Sequence, residues 1–362
     1  MQKPTFEAGH QEFFRRLKSK VDDYFRTTGL SRAGGLSLMV KSCIQFLTSV
    51  AIYLVLVLAQ PGTFIAVVLA ILLGLHLAML GFNIMHEGGH QSFSRFGWLN
   101  AVAAYFLNLL GGNTYFWKIK HNINHHTYTN IHGSDSDINV EPFMRLHPSQ
   151  PLRKAHRFQH VYWFFLYGIS YIAWIFYEDF VKYFSRRIAQ HTEPRAFAVR
   201  EHLIFWLTKI VYVVVFLAIP IYLTGWVYAL VGYLIVTFTC GLFISIVFQL
   251  AHVVESTHFP VISQTNAHIE SDWALHQLQT TSNFGTHSRL LFWMLGGLNF
   301  QIEHHLFPRI SHIHYPEISK LVRETCSEFD VTYREYGSMW SAFLSHLLFL
   351  RQAGLPAQPA VI

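Results

Sequence analysis

In this chain of 362 residues 52% are hydrophobic and only 13% charged, against about a quarter charged in an ordinary soluble domain. The formal charge of +6 comes with no basic stripe joined to a reading motif, which argues against a nucleic-acid partner and suits the cations that flank membrane helices. Three cysteines without a CxxC offer no disulfide framework, while the 23 histidines outnumber the 21 acidic residues.

Residues 1–35 are polar and basic, with no apolar signal core, and 1–40 is expected to be a cytosolic amphipathic segment. Within them Phe13, Phe14, Leu17, Val21 and Phe25 recur at helical spacing and predict an amphipathic helix lying on the membrane surface. Four later stretches, 42–60, 64–85, 203–222 and 226–250, have about the 20 apolar residues that a helical crossing needs. The links "QPGT" and "LTGW" pair them into two hairpins. Arg15, Arg16, Lys18, Arg153, Lys154, Arg186 and Arg187 all lie outside those links, so the positive-inside bias places both termini and the central region in the cytoplasm. Lys209, near the cytoplasmic end of the third crossing, is expected to snorkel.

Two further apolar stretches do not count as crossings. Residues 97–112 are too short. Residues 161–177 contain nine aromatics in 17 positions, a composition suited to the membrane interface. Parity agrees: if 161–177 crossed, the histidine-rich segments on either side of it would face opposite compartments and could not share a site.

Those segments are three. "NIMHEGGHQS" (83–92) brings His86 and His90 out of the second crossing. "HNINHH" supplies His121, His125 and His126, and "QIEHH" supplies Gln301, His304 and His305. Spacings of three or four residues put the rings of each segment on one helix face. Neutral imidazole suits Zn, Cu, Fe and Ni alike. Seven histidines suffice for two metal ions, and His252, where the fourth crossing surfaces, with Gln301 raises the possible ligands to nine. Isolated histidines are expected to be solvated or hydrogen-bonded side chains: His10, His147, His156, His160, His191, His312, His314 and His346. His76, inside a crossing, is expected to be packed and hydrogen-bonded.

His86-Glu87-x-x-His90 alone is also the zinc-protease pattern, but that reading leaves the other two segments without a role. A histidine-rich transporter should instead carry polar groups at mid-membrane, whereas these candidates sit at or beyond the helix ends.

HEGGH, HNINHH followed by "TYTNIHGSDSDI", and "GGLNFQIEHHLFP", in this order, resemble the membrane fatty acid desaturases over about residues 40–320. Gln301, where many desaturases carry His, resembles the front-end branch, which acts between an existing double bond and the carboxyl end. The resemblance implies an all-α integral membrane protein of one domain, 1–362. Four transmembrane helices would lie beneath a cytosolic helical cap of residues 86–202 and 251–350, with a tail at 351–362. It implies a di-iron centre that uses O₂ to desaturate an acyl-lipid or acyl-CoA chain, its ligands being His86, His90, His121, His125, His126, His304 and His305. His252 resembles an additional ligand. Gln301 binds metal or orients a water, and His276, in the family-like segment "WALHQLQTTSNF", is the reserve for His252. Glu87, Asp135, Asp137, Glu255 and Glu303 are the carboxylates close in sequence that could orient ligand rings, Glu87 in place of a protease base. No HPGG haem motif is present, so the two electrons are expected from a separate ferredoxin or cytochrome b5 with its reductase. A related hydroxylase, ketolase or acetylenase remains the alternative.

Overall fold

The computed structural model describes residues 4–7, 11–189, 192–262 and 268–356; His10 and His191 lie outside them. The described chain is helical apart from two short parallel strand pairs, Thr5–Phe6 with His268–Ile269 and Asn283–Phe284 with Glu335–Tyr336.

Helix α1, Glu12–Thr28, stops at Gly29, whose φ of 66° suits glycine and whose N–H bonds Phe25 O. Phe13, Leu17, Val21 and Phe25 are its buried face, as the spacing predicts. The membrane-surface expectation is corrected, because this face packs on protein: its neighbours are Phe300, Ile310, Ile318 and Val322. Lys20 ties the helix across to Glu324 and Glu328 at 2.9 and 2.7 Å. The apolar stripe required burial, but nothing in the helix itself states what would bury it.

Four helices are long and apolar enough to cross a membrane: α2 Leu36–Ala59, α3 Thr63–Gly89, α7 Val199–Thr224 and α8 Trp226–His252. Each begins or ends a few residues beyond the predicted bounds. α3 in particular runs on to carry the first histidine segment. Between α3 and α7 lie α4 (Gly97–Leu109), α5 (residues 114–128) and α6 (residues 159–185). α6 is longer than the predicted 161–177 and crosses α8 at glycines. A Cβ on Gly168 would lie 2.1 Å from the Phe238 ring, and one on Gly241 2.8 Å from Gly168 O. Only glycine lets these two helices approach so closely.

Lys209 does not snorkel. Its ammonium is buried between α6 and α7, donating to Asp179 Oδ2 (2.8 Å), Gly111 O (2.7 Å) and Ile175 O (2.8 Å). The carboxylate thirty positions upstream meets it only through the packing of α6.

After α8 the chain forms α9 (Trp273–Thr280), α10 (Arg289–Leu295), α11 (Gln301–Leu306), α12 (Tyr315–Glu328) and α13 (Met339–Ala353). α11 packs between α9 and α12, which fixes the third histidine segment.

Candidate metal centre

The first segment is the end of α3. A π-helical turn over Gly81–Met85 precedes it, and the His86 N–H bonds Gly81 O. The second segment has the same feature. Ile119–His125 is π-helical, and the His126 N–H bonds the His121 carbonyl. That bond stacks two residues five apart, which an α-helical turn would rotate away from one another.

Four pieces of chain then converge. Ring nitrogens of His86, His90, His121 and His304 lie within 4.8 Å of one another, and so do those of His125, His252 and His305. His126 stands between the two groups, its Nε2 3.2 Å from His121 Nε2 and its ring centroid 4.4 Å from that of His305. All eight side chains are buried.

The cluster passes a chemical test for metal. His86 Nε2 is 3.3 Å from His121 Nε2. Imidazoles sharing an ion, each about 2.0–2.1 Å from it, sit about 3.0–3.4 Å apart. Nε2 of His90, His125, His252, His304 and His305, and Nδ1 of His126, are buried without a partner among the described residues. Orphaned buried nitrogens are costly unless a ligand takes them.

The opposite nitrogens are held. His125 Nδ1 meets Asp135 at 3.2 Å, His252 Nδ1 the Thr280 carbonyl at 3.2 Å, and His305 Nδ1 the Gln277 Oε1 at 2.8 Å. These acceptors have no proton to offer, so each ring carries its proton on Nδ1 and turns the Nε2 lone pair inward. His304 Nδ1 pairs with the Tyr315 hydroxyl at 3.2 Å.

Electrostatics favour the neutral, ligating form at five of the rings and oppose it at His125. Burial, reinforced by repulsion among the rings, holds His90, His121, His126, His304 and His305 well below the usual histidine value. They are therefore neutral, as metal binding requires. For His125 burial also opposes charge, but Asp135 and Asp137 outweigh it and raise its pKa. Asp135 is itself fixed by the backbone N–H groups of Asn130 and Asp137. Changing Asp135 to Asn should therefore weaken metal binding about 10–100-fold, measured by competition with a chelator, while the helical far-UV signal stays unchanged.

The other carboxylates do different work. Glu87 orients no ligand ring, contrary to expectation. It accepts from Ser92 Oγ (2.9 Å) and from the His312 N–H and Nδ1 (2.9 and 2.8 Å), binding the first segment to the loop after α11. So engaged and buried, it is not free to serve as a protease base. Asp137 pairs with Lys120 at 2.7 Å and approaches His125 at 3.4 Å. Glu303 accepts from Asn283 and Tyr333, and burial pushes it up to about 7. Glu255 bonds Ser345 and Gln352 on α13 and touches no ligand candidate.

Gln301 is buried at the start of α11, its amide nitrogen without a partner among the described residues. His276 is buried outside both groups of possible ligands, its ring 5.3 Å from that of Phe6. Of the isolated histidines, His147, His156, His312, His314 and His346 are buried and hydrogen-bonded rather than solvated. Gln277, Thr280 and Tyr315 were not legible as ring-orienting groups. The only signal for the first two was the family-like segment in which they sit.

The fatty acid desaturase family model matches residues 62–337, an interval that contains every candidate ligand. The chain is 32% identical to the sn-1 linoleoyl-lipid 6-desaturase of Arthrospira platensis over 97% of its own length and 95% of that protein. It is 31% identical to the enzyme of the same name from Synechocystis, over 94% and 95%. To the acyl-lipid (8-3)-desaturase of Physcomitrium patens it is 30% identical, over 96% of its own length and 73% of that protein. With the matched interval spanning both histidine groups and the helices that carry them, this chain belongs to the fatty acid desaturase family.

Proposed function

We propose that this chain desaturates the acyl chain of a membrane glycerolipid at a pair of histidine-bound iron ions, on the carboxyl side of an existing double bond. The observation that carries the reading is the inward convergence of buried, unpartnered imidazole nitrogens in two groups. His86, His90, His121 and His304 would hold one ion, His125, His252 and His305 the other, with His126 between them and Gln301 binding directly or through a water. When bound, the irons supply an O₂-derived oxidant able to take hydrogen from an unactivated methylene, which no side chain can do. The protein holds the rings in one protonation state and excludes bulk water from them. The glycerolipid substrate and the front-end position are inferred from what the named relatives act on and from Gln301.

In this reading α2 with α3 and α7 with α8 are two hairpins. The caps at 86–202 and 251–350, both termini and the metal site face the cytoplasm, where a separate ferredoxin or cytochrome b5 delivers electrons. The chain is one functional domain over 1–362. Cells expressing it together with a donor system should accumulate acyl chains two hydrogens lighter, absent with His304→Ala, as measured by lipid mass spectrometry. Chains carrying an added oxygen would assign a hydroxylase instead.

A further inference from the structure

α13 exposes Trp340, Leu344 and Leu348, at 65, 43 and 47%, along one stripe, while Ser345, His346 and Leu350 face inward. Beside it the segment 151–165 exposes Phe158, Val161 and Phe165. The two are fastened together. Gln159 Nε2 donates to Leu350 O and Arg145 Nη1 to Ala353 O, each at 2.8 Å. At Gly354 the His156 carbonyl comes so near that a Cβ would lie 2.1 Å from it.

Two features say what covers this surface. First, its rings continue into the belt of a spanning helix. Trp340 meets Phe343 at 5.5 Å, Phe343 meets Trp163 at 5.3 Å, and Phe164, next to Trp163, meets Phe238 of α8 at 5.1 Å. The glycine crossing of α6 and α8 lies near the middle of α8, Gly241 standing about 16 Å and Phe238 about 21 Å before His252 at 1.5 Å per residue, so the run of rings leads from α13 into the membrane-spanning part of that helix. Second, Arg153, Lys154, Arg157 and Arg351 are exposed at its margin, and among the described residues none of them is in an ion pair. Glu255, the carboxylate on the inner side of α13, is engaged by Gln352 and Ser345.

We propose that α13 and residues 151–165 form a platform seated in the cytosolic leaflet, with the apolar stripe among acyl chains and the four cations on anionic lipid phosphates. It rests on the cytosolic placement of the cap argued above. Apolar stripe plus basic margin is the composition of an in-plane interfacial helix, and each basic side chain at an anionic surface gives about a fivefold preference. The platform reaches the metal centre through His346. Its Nδ1 donates to Val253 O at 2.6 Å and its Nε2 accepts from the Tyr167 hydroxyl at 2.9 Å. The residue that follows His252 is thereby braced against α13.

The test uses the full chain in lipid nanodiscs, of phosphatidylcholine alone or with phosphatidylglycerol added, followed by hydrogen exchange. Residues 339–353 should exchange about fivefold more slowly, or slower still, with phosphatidylglycerol. The combined R153Q, K154Q, R157Q and R351Q variant should remove that difference while leaving α8 equally protected. A nitroxide on Leu348→Cys should be relaxed by O₂ more than by a water-soluble nickel chelate. Equal exchange in both discs, a nitroxide more open to the nickel chelate, or protection found only in discs holding two chains would overturn the proposal. None of these readouts requires turnover, so failure of the desaturase reading would be seen separately, in the lipid profile.

Discussion

Replacing His305 by Ala should yield a chain with no detectable desaturase activity and about one metal ion fewer than the parent. His305 belongs to the group with His125 and His252, and its Nε2 has no partner among the described residues, so none of them needs that atom. His90→Ala should remove an ion from the other group, since His90 lies with His86, His121 and His304. Metal counting by inductively coupled plasma mass spectrometry on purified chains, beside the acyl profile, reads both effects. Tyr315→Phe is the graded control. It removes the hydroxyl on His304 Nδ1 and should weaken metal retention about 10–100-fold without abolishing it. Wild-type activity in either His variant would remove that residue from the ligand set. Loss of activity with both ions retained would instead make its role something other than holding metal.

Lys209→Ala should destabilise the fold by about 3–5 kcal/mol, because it leaves the Asp179 carboxylate buried without its cation. Both side chains are buried, at 6 and 0% exposure, and the ammonium also fills two backbone carbonyl acceptors. The double variant Lys209→Met with Asp179→Leu should recover most of that loss, since removing a buried pair altogether is often close to neutral. Thermal unfolding in detergent micelles measures both. If the single and double variants lose the same amount, the loss does not come from stranding Asp179, and the contacts of the ammonium with the Phe180 and Phe205 rings, 5.6 and 5.5 Å from their centroids, are what matters.

The fate of Lys209 illustrates what a linear reading misses. A lysine near the end of an apolar run has an easy exit to water, and the sequence contains nothing that points from residue 209 back to residue 179. The ion pair exists because α6 turns Asp179 toward α7. Glu87 is a similar case. Its place between two histidines suggested that it orients one of them, yet its partner is His312, 225 positions downstream. α1 differs in kind, since of its predicted stripe Phe13, Leu17, Val21 and Phe25 are buried and Phe14 half-buried, and only the surface that receives the stripe was misread.

By itself the sequence determined the four apolar helices, to within a few residues, and the histidines that meet at the centre. Both are written in local terms. A run of apolar side chains must be taken out of water wherever the chain goes, and histidines three or four apart on a helix share a face whatever surrounds them. Tertiary structure decided the rest. It brought His252 beside His125 and His305 and left His276 outside that group, placed His126 between the two groups through a π-helical turn, and set Asp135, Gln277, Thr280 and Tyr315 against the outer ring nitrogens. Those assignments depend on which helices lie side by side, because a hydrogen bond at 2.8 Å is made between neighbours in space, and neighbours such as Gln277 and His305 are set by the packing of α9 on α11, not by the order of the chain.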